Sequence, residues 1–129
     1  MPAAKTKPHA AADPAIEALF AGKEPATRAV YDALLAALGR IGPVIAEPKK
    51  TSIHLTAGAG TSAFAGVHPR KSGILLNIRS DAKLASARIR KTEQVSKNRH
   101  HNELLLQDIT DVDTGLERWL AAAYRLSSG

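Results

Sequence analysis

At Gly42-Pro43 the hydrophobic rhythm of this chain changes from that of helices to that of strands, dividing it into a helical opening and a sheet. Upstream, Asp13-Pro14 offers an N-cap oxygen and a first-turn proline. A short helix then runs through Ala15, Ile16, Leu19 and Phe20 and stops at Gly22. Pro25 opens a second helix, with Val30, Leu34, Ala37, Leu38 and Ile41 on one stripe and Gly39 and Gly42-Pro43 at its end.

Downstream, apolar residues alternate. Val44 to Glu47 reads as a first strand, and Lys49-Lys50 as a turn or strand edge. Between Thr51 and Thr56, Ile53 and Leu55 face one way while Ser52, His54 and Thr56 face the other. Ala57-Gly58-Ala59-Gly60 makes a hairpin tip, Phe64 to His68 returns as a strand, and Pro69 to Gly73 turns. Ile74, Leu76 and Ile78 then form the next inward face. Asp81 to Val95 fits either a helix capped by Asp81 or an extended arm anchored by Ile89 and Val95, with irregular or extended structure favoured. Ser96-Lys97-Asn98 suits a turn. Arg99 to Gln107 is a last strand, with Leu104 and Leu106 inward and His101, Glu103 and Leu105 opposite. Asp111 or Asp113 caps a final helix striped by Val112, Leu116, Trp119, Leu120 and Ala123.

The expected fold is therefore α+β: two N-terminal helices, an antiparallel meander of four to six strands, and a C-terminal helix packed on one sheet face. The other face is left available. Residues 13–129 form one domain behind a disordered tail, 1–12, which matches what 129 residues ordinarily support. No apolar run approaches the roughly 18 residues that cross a bilayer, and the N-terminus lacks the apolar stretch of a secretory signal. A cytoplasmic address is the expectation. The absence of cysteine removes disulfides, thiol nucleophiles, zinc ribbons and iron–sulfur clusters together.

Charge is unevenly spread. Between Lys49 and His101, eleven Lys and Arg face only Asp81 and Glu93, whereas two Arg face five acids beyond Asn102. A segment so lopsided attracts phosphates and polyanions, although a well-solvated surface also carries such charge. The cations expected at turns and strand ends include Lys49, Lys50, Arg70, Lys71, Arg79, Arg90, Lys91 and Arg99, which a meander could gather on one face or rim. Lys50, Arg70 and Arg79 are expected together, and Arg forks and Lys point charges both suit phosphate.

Other chemistries find little support. His100 and His101 are adjacent and point to opposite faces of a strand, so they cannot chelate one ion. His54 and His101 fall on the same non-core side and could meet across the sheet, but a metal needs three or four ligands and none is expected here. No Gly-x-Ser-x-Gly occurs, no pair of carboxylates has a spacing that joins them, and Ala57-Gly58-Ala59-Gly60-Thr61 lacks the ending of a phosphate-binding P-loop. Aromatics are scarce near the cations, which disfavours base stacking on a single strand. No cofactor and no catalytic residue is expected.

In order along the chain, Phe20-Ala21-Gly22-Lys23-Glu24-Pro25, Val30-Tyr31, Ile41-Gly42-Pro43, Lys50-Thr51-Ser52-Ile53 and Phe64-Ala65-Gly66-Val67 form a recognisable series. It continues with Arg70-Lys71-Ser72-Gly73, Arg90-Lys91-Thr92-Glu93, Asn102-Glu103-Leu104, Asp111-Val112-Asp113, Trp119-Leu120 and Ala123-Tyr124. The chain resembles the bacterial family catalogued as domain of unknown function 5655, from about Ala15 to Leu126. The resemblance implies fold and membership but no activity. Some relatives look like fusions that include a cysteine-bearing N-terminal segment, and a zinc-dependent role there does not carry over to a chain without cysteine.

The leading expectation is a non-catalytic binding module whose basic sheet face or rim engages an anionic partner, nucleic acid first. The rival is a small-ligand or enzymatic domain with a pocket around His54, Arg79, Arg90 and His101. A concave cavity there would favour this rival, and a flat basic surface the module. A third is a homodimer joined through sheet edges or exposed strand residues such as Leu75 and Leu105.

Overall fold

A computed structural model describes residues 13–58 and 62–128, so the expected tail and the end of the hairpin tip, Ala59-Gly60, lie outside the described residues. Helix α1 spans Pro14–Phe20 and α2 spans Pro25–Gly39. Asp13 caps α1 by accepting the Ala15 N–H at 2.8 Å, and Gly22 follows it with φ +78°. Pro25 stands at the start of α2, and Val30, Leu34, Ala37 and Leu38 are buried along its stripe. The strands are β1 (Ile45–Pro48), β2 (Ile53–Thr56), β3 (Ala63–Arg70), β4 (Gly73–Ser80), β5 (Lys91–Ser96) and β6 (Arg99–Leu106). Helix α3, Thr114–Ser128, closes the chain.

All strand pairs are antiparallel, in the order β1-β2-β3-β4-β6-β5. The chain meanders as far as β4. It then travels through residues 81–90 to the far edge, forms β5, and turns back at Lys97-Asn98 so that β6 slots in beside β4. The helices cover one face. Ile16, Phe20, Val30, Leu34, Leu38, Leu116 and Leu120 pack there against inward strand residues such as Ile53, Leu55, Val67, Leu76 and Leu104.

Residues 81–90 form no helix, and they are held from two sides. The Arg88 guanidinium bonds both carboxylate oxygens of Asp113, at 3.1 and 3.2 Å, and the Asp111 carbonyl at 2.7 Å. On the sheet side, the fully buried Asn102 donates to the Ile78 carbonyl and Ser80 Oγ, and accepts from Thr92 Oγ1 and the Leu84 N–H. Of the two expected anchors, Ile89 packs against the core, but Val95 is 52% exposed, because it lies on the outermost strand with no further strand beside it. Asp113 rather than Asp111 caps α3, accepting the Leu116 N–H at 2.9 Å. Asp111 instead closes a capping box with Asp108 one turn earlier.

Two local features differ from plain alternation. Strand β3 runs on through Pro69 and Arg70, so the turn to β4 is only Lys71-Ser72. Strand β3 also carries a bulge. Leu55 pairs with Ala65, but the next residue, Thr56, pairs with Ala63, which leaves Phe64 as the extra residue. The Phe64 side chain is fully buried, meeting the Tyr124 ring of α3 edge-on at 5.4 Å. Beyond the bulge, Ala65 and Val67 line the core while Gly66 and His68 face the uncovered side.

A candidate anion site on the uncovered sheet face

Register fixes which side chains share the uncovered face. Across the sheet, His54 of β2 stands opposite Gly66 of β3, Gly66 opposite Asn77 of β4, and Asn77 opposite Glu103 of β6. One row along, Arg79 stands opposite His101, and His101 opposite Glu93 of β5. In the middle is Gly66. A β-carbon built there meets no atom within 4 Å, so the missing side chain leaves a hollow in a surface otherwise filled by side chains.

That hollow is a concavity of about 230 Å³, lined by His54, His68, Asn77, Arg79, Arg99 and His101 over a floor of Ala63, Phe64, Ala65 and Gly66. Three imidazoles and two guanidiniums therefore converge on it. Its lining includes no carboxylate. Glu93 and Glu103 stand only at neighbouring register positions. His54 and His101 do not meet, because two strands separate them and strand spacing puts their backbones roughly 14 Å apart. The concavity occupies the space between.

The arginines are held in a particular way. Arg79 Nη1 donates to Ser62 Oγ at 3.1 Å and to Ser127 Oγ in the last turn of α3 at 3.0 Å, while its Nε is buried without a hydrogen-bond partner. Arg99 Nε donates to His101 Nε2 at 3.2 Å. An imidazole nitrogen that accepts carries no proton, so this bond favours the neutral form of His101 with its proton on Nδ1. Burial lowers the His101 pKa below its ordinary value, Arg99 and Arg79 add to the lowering, and Glu93 opposes it. Burial also lowers that of His68, joined by Arg70 and His54 and opposed by Glu103. The Arg79 pKa is lowered too, first by burial and then by the neighbouring charge of Arg99.

These shifts give stability a sign with pH. A histidine whose folded pKa lies below its unfolded value binds fewer protons when folded, so its contribution is complete above about pH 6.5 and falls as pH drops through that value. The melting temperature in a non-binding buffer is expected to fall from pH 7.5 to 5.5. His101→Gln, which keeps an acceptor for Arg99, should flatten part of that slope. A slope identical in the two proteins would refute the assignment to His101.

Of the expected site residues, His54, Arg79, Arg99 and His101 line the concavity. The expectation that Lys50, Arg70 and Arg79 cluster is not met. Lys49 and Lys50 sit in the β1–β2 connection and Arg70 and Lys71 at the β3–β4 turn, both at the same end of the sheet. Arg79 lies six residues along β4 from Gly73, roughly 20 Å away at strand rise. Lys49 is paired instead with Glu47 at 3.6 Å. Arg90 does not join the concavity either. Its N–H is tied to the Glu103 carbonyl at 2.7 Å, and with Lys91 and Lys83 it lines a separate groove of about 470 Å³. That groove is made by one continuous stretch, residues 83–92, with nothing contributed by the central strands. Leu75, expected as an exposed contact, is 8% exposed. His68 and Asn77 belong to the site although the sequence reading did not single them out. Among the described residues, no group of three or more His, Cys, Asp and Glu could hold a metal, and no helix is long and apolar enough to cross a membrane.

A six-stranded antiparallel sheet with the described helices on one face, and a cation-lined hollow on the other, defines a two-layer α+β domain. Residues 16–127 match the family described as domain of unknown function (DUF5655), and the chain belongs to that family. No curated protein and no solved structure matches it.

Proposed function

We propose that this chain is a ligand-binding domain that holds a small anion-bearing molecule in the concavity of its uncovered sheet face. The observation that carries the reading is the pair Arg79 and Arg99 in a lining without a carboxylate, with Arg79 Nε buried and unpartnered. A buried donor without a partner loses hydrogen bonding that water would give it, about 1–3 kcal/mol for such a group, which an anion arriving at the site restores. Two guanidiniums without a counter-ion also repel, and the same anion relieves that.

A hollow is the geometry of a small-molecule site. A polyanion tract is less well served, because the other cations are dispersed among the β1–β2 connection, the β3–β4 turn and the 83–92 groove. Base stacking lacks a platform as well, since Phe64 is buried under α3. With neither cysteine nor a membrane-length helix among the described residues, the ligand is proposed to be met in the cytoplasm.

The test is NMR of the imidazole signals of His54, His68 and His101 during titration with inorganic phosphate, sulfate, acetate and citrate. Saturable shifts are expected at these histidines and not at His100. Gly66→Val should abolish them by filling the floor, while leaving the fold intact, since valine suits a strand and its β-carbon meets nothing. If none of the anions moves the three histidines, or if Gly66→Val responds as the wild type does, the reading fails.

A further inference from the structure

Resting on that reading, we infer the class of ligand: a phosphate monoester of a small polyhydroxylated molecule, its phosphate between Arg79 and Arg99 and its hydroxyls toward His54, His68 and Asn77. The hydrogen bonds already made by the two arginines decide the first half. With Nη1 bound to Ser62 and Ser127, Arg79 keeps its Nε–Nη2 edge free of partners among the described residues. With Nε bound to His101, Arg99 keeps its Nη1–Nη2 edge. Each edge is a two-donor fork of the kind that binds oxyanions bidentately.

A carboxylate has two oxygens and one charge, enough for one fork. A phosphate monoester has three terminal oxygens and, above its second pKa of about 6, close to two charges. It engages both forks and neutralises both guanidiniums. A phosphodiester offers two free oxygens and a single charge, so it shares the carboxylate's deficit. His101, directly across from Arg79, adds a third donating side chain if it takes up a proton when the anion arrives, releasing Arg99 Nε as it does so.

The opposite end of the hollow decides the second half. His54 and His68 are diagonal neighbours on β2 and β3, and Asn77 stands opposite Gly66 between them and the arginines. Imidazole and carboxamide both donate and accept hydrogen bonds, as hydroxyl groups require of their partners. Phe64, the one Phe, Tyr or Trp in the lining, is fully buried against Tyr124 and offers no broad ring face to a nucleobase.

Calorimetric titration at pH 7.5 with methyl phosphate, dimethyl phosphate, acetate, a hexose 6-phosphate and adenosine monophosphate tests both halves. Methyl phosphate is expected to bind at least tenfold more tightly than acetate or dimethyl phosphate. Arg79→Lys, which keeps the charge but removes the fork, should lose that tenfold, and Lys50→Gln should lose nothing. The hexose phosphate should bind at least tenfold more tightly than methyl phosphate, and His54→Ala with Asn77→Ala should erase this difference between the two ligands. Acetate or dimethyl phosphate binding as well as methyl phosphate would overturn the phosphate assignment and leave the anion reading standing. Adenosine monophosphate binding more tightly than the hexose phosphate would overturn the polyhydroxyl assignment alone. No binding by any of the five would remove the anion site itself.

Discussion

Gly73→Ala is expected to destabilise the domain by about 3 kcal/mol, combining roughly 1–2 kcal/mol of backbone strain with 1–3 kcal/mol of overpacking. Gly73 opens β4 directly after the Lys71-Ser72 turn, with φ at +112°, a region that side-chain-bearing residues rarely enter. A β-carbon there would sit 2.5 Å from the Leu106 carbonyl oxygen and 3.2 Å from Gln107 Cα. Both are backbone atoms, fixed by the β4–β6 pairing of Ile74 with Leu106. The same turn is clasped by α2. The buried Thr27 hydroxyl bonds the Arg70 and Lys71 carbonyls and accepts the Gly73 N–H at 2.7 Å, so any shift that accommodates alanine also disturbs these contacts. Gly22 supplies the control. Its φ is +78°, but nothing lies within 4 Å of its would-be β-carbon, so Gly22→Ala should show the strain alone. In thermal melts, Gly73→Ala should drop by about 10 °C, given a few degrees per kcal/mol for a domain of this size. Equal drops for the two variants would show that the close approach to Leu106 contributes nothing.

Asn102→Leu is the second large effect, at about 3 kcal/mol, because removing one partner leaves several buried polar groups unpaired. The Ile78 carbonyl, Ser80 Oγ, Thr92 Oγ1 and the Leu84 N–H all turn to this one carboxamide. The leucine matches the volume of its neighbours Leu104 and Leu106 but satisfies none of the four. The loss should also be local. Hydrogen exchange at the Leu84 amide should accelerate well beyond what the global loss explains, because Leu84 would lose its bond to the sheet while the remaining holds, Arg88 to Asp111 and Asp113 and Arg90 to Glu103, lie further along the segment. Thr92→Val removes a single partner and should cost about 1 kcal/mol. A stability for Asn102→Leu within 1 kcal/mol of wild type would mean that the buried carboxamide is not what joins segment to sheet.

Helix starts and inward strand residues were legible in the sequence because each rests on a short-range cause. Asp13-Pro14 caps the helix it precedes, and Ile74, Leu76 and Ile78 face inward because alternate residues must. His54 and His101 of the site were legible for the same reason, since each lies on a strand whose alternation is unbroken around it. His68 was not. Counting in twos from an inward Phe64 places Gly66 and His68 inward as well, and only the bulge at Phe64 reverses them. The adjacent apolar pair Phe64-Ala65, followed by Val67, was the available clue. The place of β6 between β4 and β5 was also hidden, since it depends on a long-range pairing that the local pattern of residues 81–95 does not record. That crossing is also what brings Arg99 and His101 beside Arg79 and leaves Arg90 at the edge.

The bond from Arg79 to Ser127 has a consequence for the order in which the molecule assembles. The hollow draws on residues from β2 to β6, and its arginine is steadied from the last turn of α3, 48 residues further along the chain. Contacts this distant in sequence form late, after the intervening loop has been closed. On a ribosome, the sheet would have emerged before the serine that steadies Arg79. A nascent or clipped chain ending short of Ser127 would carry all the imidazoles and guanidiniums of the hollow yet hold Arg79 through Ser62 alone. The site is finished only once Ser127 is in place.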